Sequence, residues 1–430
     1  MKILKRANAS RLELIGYQSP EPGVKYVPNP CLIQEKEAVF NPITEEAILI
    51  EDTQKDRRAL VNGWYLVPER FDVVSVAHMM RQKQMATMAK PHGKTGYTIF
   101  TTTACNAHCG YCFERGYDVL TMSEETARQV AEYILKTCRK NGAISIKWFG
   151  GEPLVNKDVI SVICTRLNEY HINFTSDITT NGDLLQKCTD EELKLWRIKS
   201  VQLTFDDVGD TYDKIKGLPG AYERLHASID RLAKLGIWAS IRIHYAPGKM
   251  DACYRVAKAL AIHKNVRMYC RILYDKEQPE DYAALLKFEE YLIQNGFMRA
   301  SFPNGSNGAH CMADRPTHAC ITPTGELSPC EHFAYGENMY GNINTRNRNG
   351  SVLAKWAQKE KHIHVECASC PLYACCEKIV MCPSEGKCEN GYKEYQIARI
   401  KRALRYASGG TKRMVSGATQ QELSQMCGIC

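Results

Sequence analysis

The sequence has no apolar run of the ~18 residues that a membrane-spanning helix needs. Its opening stretch, MKILKRANASRLEL, is basic and carries none of the apolar core of a secretory signal. Together these absences point to a cytoplasmic protein. Low-complexity segments and repeats are also missing, apart from clusters of cysteine. There is little excess of one charge: 56 Lys and Arg against 48 Asp and Glu leave a net +8, too diffuse to indicate a nucleic-acid partner. The densest basic stretch, RIKRALRYASGGTKR (399–413), reads as a solvated helix end, or as a surface attractive to an acidic peptide. Neither nucleic acid nor membrane is expected as a partner.

What remains is an ordinary globular composition, 44% hydrophobic and 24% charged over 430 residues, enough for two or three domains or a large barrel with appendages. Against that background, 20 cysteines are anomalous. Without an export signal, such a number points to metal or redox chemistry rather than disulfides. The cysteines cluster at 105–112, 311–330 and 367–388, with a terminal pair, Cys427 and Cys430; the others are scattered.

From about residue 95 the chain alternates strand and helix patterns. The strands are expected at 98–104, 144–150, 176–181, 200–205, 238–245 and 266–273, with helices at 122–140, 191–196 and 221–236. Six such units predict an α/β fold, a partial (β/α)6 barrel. Chemistry in such barrels sits at the C-terminal ends of the strands. There the sequence places CNAHCGYC (105–112), FGGEP (149–153) and TTNG (179–182). Residues 1–92 read as a small N-terminal α+β domain with two strands around an Asn-Pro turn in 31–50, then a helix over 74–90. Residues 93–300 form the barrel. Residues 301–395 have few apolar residues, and metal clusters there would replace a missing core. Residues 396–430 are a closing helix and tail.

The spacing C-x3-C-x2-C supplies three thiolates where most metal sites use four ligands. Three thiolates can hold three irons of a cubane and leave the fourth open to a substrate or cofactor. A Cys3His zinc site with His108 is the competing reading. His108 adjoins Cys109, which makes joint tetrahedral ligation awkward.

These motifs resemble the radical S-adenosylmethionine (SAM) superfamily. The resemblance implies that Cys105, Cys109 and Cys112 hold a 4Fe–4S cluster whose open iron is chelated by SAM. Electron transfer would then release a 5′-deoxyadenosyl radical. It implies that Gly150, Gly151, Glu152 and Pro153 bind the SAM amino group. Thr180 and Asn181 would lie near the ribose, and Thr204 on a SAM-facing strand. Arg242 would pair with the carboxylate, and Tyr111 would pack near the adenine. The family's usual Asp-Gly after strand four is Asp206-Asp207 here.

The later cysteines resemble the SPASM extension, which carries two auxiliary 4Fe–4S clusters. That resemblance implies one cluster on Cys311, Cys320, Cys330 and Cys382, and a second on Cys367, Cys370, Cys376 and Cys388. Cys375 adjoins Cys376 and competes with it, and two zinc ribbons would use the same ligands. SPASM enzymes act on peptides. The implied function is a maturase that abstracts hydrogen from a ribosomally made precursor peptide and forms a thioether or carbon–carbon crosslink. Its electron donor would be a low-potential flavodoxin or ferredoxin, and residues 1–92 would bind a leader peptide. Formylglycine formation, as in anaerobic sulfatase-maturating enzymes, is an alternative. So are peptide epimerisation, with Cys270 returning a hydrogen atom, and a non-catalytic metal-dependent peptide-binding module.

Overall fold

The computed structural model describes residues 1–16, 18–50, 57–88, 93–139, 142–245, 248–272, 281–303, 312–314, 317–331, 338–345, 347–357, 367, 369–376, 388 and 391–409. Cys311, Cys382, Cys427 and Cys430 fall outside them. The chain divides into two compact units. One comprises Met1–Lys90, Arg299–Arg315 and Ala357–Cys430; the other comprises Pro91–Met298 and Pro316–Trp356.

The second unit is built on six strands in chain order: β1 (Gly96–Thr102), β2 (Ile144–Gly150), β3 (Phe174–Thr180), β4 (Ile198–Phe205), β5 (Trp238–Tyr245) and β6 (Val266–Ile272). Each pairs in parallel with the next. Beyond β1 the sheet continues with β7 (His318–Ile321), parallel to β1, and then the antiparallel strands β8 (Glu326–Ser328) and β9 (Gly341–Asn342). With β6 and β9 at its two edges, the sheet is open, as a partial barrel requires.

Local signals set the helices between the strands. Ser123 accepts a hydrogen bond from the Thr126 amide and starts the helix Glu124–Thr137, with Glu124 and Glu125 in its first turn. Thr189 and Glu192 form a reciprocal capping box at Asp190–Leu195. Gly236 takes a φ of 70° just past Ala221–Lys234, the left-handed conformation that favours glycine.

Strands covered on both faces read as continuous apolar runs. β1 is buried along its whole length, whereas β2 to β5 alternate. Ile146, Trp148, Ile178, Val201, Leu203, Ile241 and Ile243 are fully buried. The intervening positions, among them Lys147, Asp177, Gln202, Thr204 and Arg242, are half-buried and polar. One face of the sheet is therefore core, and the other is available for chemistry.

The first unit has a four-stranded antiparallel sheet in the order Lys2–Lys5, Glu46–Leu49, Ala38–Asn41, Ile33–Glu35. Residues 31–50 thus hold three strands rather than two. Lys36 adopts a φ of 55° and opens an extra hairpin. Asn41 accepts from the Ile43 amide at the Asn-Pro turn. This sheet shares its core with the C-terminal segment: Phe40, Ile33 and Ala47 pack with Leu372, Cys375, Ile400 and Leu404. Ile400 and Leu404 come from the helix Tyr392–Ala407, the closing helix expected near there. Arg11, 1% exposed, pairs with Glu45 at 2.9 Å and donates to the Ala374 carbonyl at 2.8 Å. Among the described residues no helix is long and apolar enough to cross a membrane.

Candidate active site

The C-x3-C-x2-C loop leaves the C-terminal end of β1, with Cys105 and Cys112 exposed and Cys109 half-buried. Its path is fixed by backbone contacts with the end of β2. The Gly151 amide donates to the Thr102 carbonyl at 3.1 Å, and the Glu152 amide to the Ala104 carbonyl at 2.8 Å. This approach is possible only without side chains. A Cβ on Gly150, whose φ is 135°, would stand 2.1 Å from the Thr102 carbonyl oxygen. One on Gly151 would stand 2.3 Å from that of Thr103 and 2.6 Å from that of Ala104. At Gly182 the backbone itself asks for glycine, with a φ of 84°, and a Cβ there would meet the movable side-chain end of Leu225 at 2.0 Å.

Glu152 is fully buried. Its carboxylate accepts from the Leu154 amide at 3.0 Å, the Thr180 hydroxyl at 2.7 Å and the Asn181 amide at 2.8 Å. Burial nonetheless pushes its pKa up to about 7, because those donors offset only part of the lost hydration. Pro153 anchors the turn by accepting from Thr101 at 2.9 Å. Asn181 reaches back to the loop, donating to the Asn106 side chain at 2.8 Å, while Asn106 donates to Asp183 at 2.9 Å and Arg224 to the same carboxylate at 2.8 Å.

A buried charge network holds the other side of the loop. Lys216 and Asp206, 3% and 5% exposed, pair at 2.7 Å. The Tyr111 hydroxyl lies between them, donating to Asp206 at 2.8 Å and accepting from Lys216 at 2.6 Å. The Nδ1 of His244 completes the group, 2.8 Å from Asp206. Burial opposes the charge on Asp206, yet Lys216 and His244 hold its carboxyl well below the usual carboxylate range. Tyr111 is thus tied by its hydroxyl to a charged pair. Lys216 carried no signal in the sequence; Asp206 was visible as the aspartate of the family's Asp-Gly, from which the chain departs at Asp207. Thr204 stands opposite Arg242 in register, and the Nε of Arg242 is buried without a hydrogen-bond partner among the described residues.

These residues fit a 4Fe–4S cluster and SAM. The three thiols lie within electrostatic reach of one another. Although its residue surface is exposed, partial desolvation of the Cys105 sulfur pushes its thiol up to about 11, a shift that a bound cation would oppose. Among the described residues no three His, Cys, Asp or Glu side chains converge on a point that would hold a single metal ion. A cubane takes each thiolate on a different iron and asks for no such convergence. Glu152 suits an ammonium group, and the unpartnered Arg242 Nε suits a carboxylate.

The remaining expected ligands lie elsewhere. Cys320, on β7, is buried with Phe100 and Phe149, and Cys330 lies close enough to act on it electrostatically. Cys367, Cys370 and Cys376 are half-buried in the first unit, where Cys375 is buried and Cys388 exposed. Cys270 shares a hydrogen bond with Cys253, and that bond and burial push its thiol far above the usual range. It alternates with Tyr269 along β6 and so belongs to the opposite face of the sheet.

Residues 99–260 match the family model described as "Radical SAM superfamily". A probable GTP 3′,8-cyclase of Methanosarcina acetivorans is 29% identical over 163 residues, which is 36% of this chain and 47% of the relative. The chain spans about half the length of the curated relatives it matches. Among solved structures, anSMEcpe with bound AdoMet and Cp18Cys peptide is similar at a TM-score of 0.54 and 16% identity, over 74% of this chain and 100% of that one. Streptococcus suis SuiB bound to precursor peptide SuiA gives 0.52 and 17%, over 82% and 95%. These likenesses are of fold. The superfamily assignment rests on the family model and extends to residues 99–260, where the rim geometry agrees with it.

Proposed function

We propose that the protein is a radical SAM maturase that abstracts hydrogen from a ribosomally made precursor peptide and forms a thioether or carbon–carbon crosslink. The observation that carries the reading is the rim itself. The backbone of Gly150-Gly151 is packed against the three-cysteine loop, with a buried Glu152 carboxylate beside it. When bound, the cluster and SAM supply a 5′-deoxyadenosyl radical, and the hard chemistry belongs to them. The chain's part is positional. Cys105, Cys109 and Cys112 hold the cluster, Glu152 and Arg242 orient the amino-acid end of SAM, and Thr180, Asn181 and Thr204 line the approach. The polar face of the sheet receives the substrate.

A peptide substrate is supported by the similar structures of anSMEcpe with Cp18Cys peptide and of SuiB with precursor peptide SuiA, and by the extent of the likeness to SuiB, well beyond the barrel. Two auxiliary clusters would occupy the later cysteines. A leader peptide would add to an edge of the N-terminal sheet, at Lys2–Lys5 or Ile33–Glu35. Electrons would come from a flavodoxin or ferredoxin.

The test is anaerobic reconstitution, followed by assay of 5′-deoxyadenosine with a low-potential reductant and candidate precursor peptides. The expected result is SAM cleavage that is lost when Cys105, Cys109 and Cys112 become Ala, and a peptide product lighter by two hydrogens. Tandem mass spectrometry separates a crosslink, which joins two residues, from formylglycine, which changes one. Cleavage stimulated by GTP and indifferent to peptide would overturn the reading.

A further inference from the structure

Cys31 lies far from every cysteine cluster in the sequence. In the fold it is 6% exposed and packs with Tyr373 and Ala374, in one group with Cys367 and Cys376. Cys370 is close enough to act on it electrostatically, and Cys367 in turn acts on Cys370. The geometry around these thiols is set by short turns. The Cys31 amide donates to the Asn29 side chain at 2.9 Å, and Asn29 donates to the Trp64 carbonyl at 2.8 Å. On the other side, the Cys370 amide donates to the Cys367 carbonyl at 3.1 Å, the turn that a C-x2-C pair uses to present both sulfurs to one centre. Cys375 is buried among Phe40, Leu372, Ile400 and Leu404, and Cys370 borders both groups.

We infer that Cys31 is the fourth thiol of an iron–sulfur site formed with Cys367, Cys370 and Cys376. The inference rests on the reading that the C-terminal cysteines carry a cluster, and it replaces Cys388 in the set expected from the family. Four thiolates select zinc or an iron–sulfur cluster. The reading of the C-terminal cysteines as cluster ligands, on which this inference rests, favours the cluster. On ligation Cys31 gives its proton to solvent, and its thiolate charge is balanced by iron. The site then staples the N-terminal sheet to the C-terminal segment, so loading the cluster and ordering the first unit become one event.

A buried cysteine that only fills space makes a different prediction, because a small apolar side chain replaces it. The test uses the full chain with Cys105, Cys109 and Cys112 changed to Ala, so that the SAM cluster does not mask the signal. Into it go Cys31→Val, Cys31→Ser and, separately, Cys388→Ala. Each protein is reconstituted and reduced. Its EPR spectrum is recorded, and iron release to a chelator is timed. Far-UV circular dichroism of each variant confirms folding. Ligation by Cys31 predicts a changed EPR signal and iron release about tenfold faster or more in both Cys31 variants, with Cys388→Ala unchanged. An unchanged spectrum and release rate in Cys31→Val, or a change confined to Cys388→Ala, would overturn the inference and leave the proposed function standing. Loss of SAM cleavage by the otherwise wild-type chain concerns that function alone.

Discussion

Gly151→Ala isolates one contact of the rim. Its new Cβ would stand 2.3 Å from the Thr103 carbonyl oxygen, where ordinary contact begins at 3.4 Å, so the loop must retreat by about 1.1 Å (3.4 − 2.3). Overpacking of this kind costs about 1–3 kcal/mol, a tolerable share of a folded protein's stability of roughly 5–15 kcal/mol. Function is more exposed, since a misplacement of about 1 Å can cost ~100-fold in rate. Gly151→Ala should therefore fold and hold iron while SAM cleavage falls about 100-fold. Gly150→Ala adds the strain of a φ of 135°, another 1–3 kcal/mol or so, and should be the less stable of the two. Gly236→Ala is the control: its φ is 70° with nothing within 4 Å, so it meets strain without contact and should keep wild-type cleavage. Urea unfolding gives the stabilities, and 5′-deoxyadenosine from the reconstituted proteins gives the rates. Wild-type cleavage by Gly151→Ala would refute the idea that this contact positions the cluster loop.

Two further outcomes follow from buried charge. Glu152 has a folded pKa of about 7 against 4.5 for an ordinary glutamate. Between those values the unfolded chain has released a proton that the folded one retains, so apoprotein stability falls as pH rises through the window, by about 3 kcal/mol in all. Urea unfolding at several pH values should show a shallower fall for Glu152→Gln, and parallel profiles would contradict the assignment. Arg11→Met leaves Glu45, 1% exposed, without its guanidinium partner. It should cost roughly 3–5 kcal/mol, and a loss under 1 kcal/mol in the same assay would refute that pairing.

Much of the barrel was legible because periodicity carries it. The bounds of β2 and β5 coincide with the sequence reading, while β1, β3 and β4 each begin two residues earlier. The glycines of FGGEP and TTNG were legible as motifs, and the contacts at Gly150, Gly151 and Gly182 give the steric reason for them. Lys216 was not legible: a lysine near a helix end ordinarily faces solvent, and only the tertiary meeting with Asp206 and Tyr111 buries it. Cys31 was hidden for the same reason. Its neighbour Cys370 lies hundreds of residues away, and no local pattern joins them. The third N-terminal strand was missed because the extra hairpin depends on a non-glycine residue at positive φ, Lys36, where turn chemistry favours Gly or Asn.

The rim also explains why a costly buried carboxylate sits beside the cluster loop. Three donors aimed at Glu152 suit the ionised form, yet burial leaves it with a pKa of about 7. Such a group is under-solvated and gains from a cation. Arg242, on the polar face of the same sheet, has the complementary deficit: its Nε is buried without an acceptor among the described residues. An ammonium at the first and a carboxylate at the second describe the zwitterionic end of an amino acid. Each charge would then meet a partner that the protein alone does not supply, which is how binding energy is held in reserve for one ligand. A simple anion would satisfy Arg242 and repel Glu152, and a simple cation would do the reverse. We propose that selectivity for the zwitterion follows from these two groups of opposite sign acting on one ligand. Removing either one, by Glu152→Gln or Arg242→Met, should relax that preference as well as weaken binding.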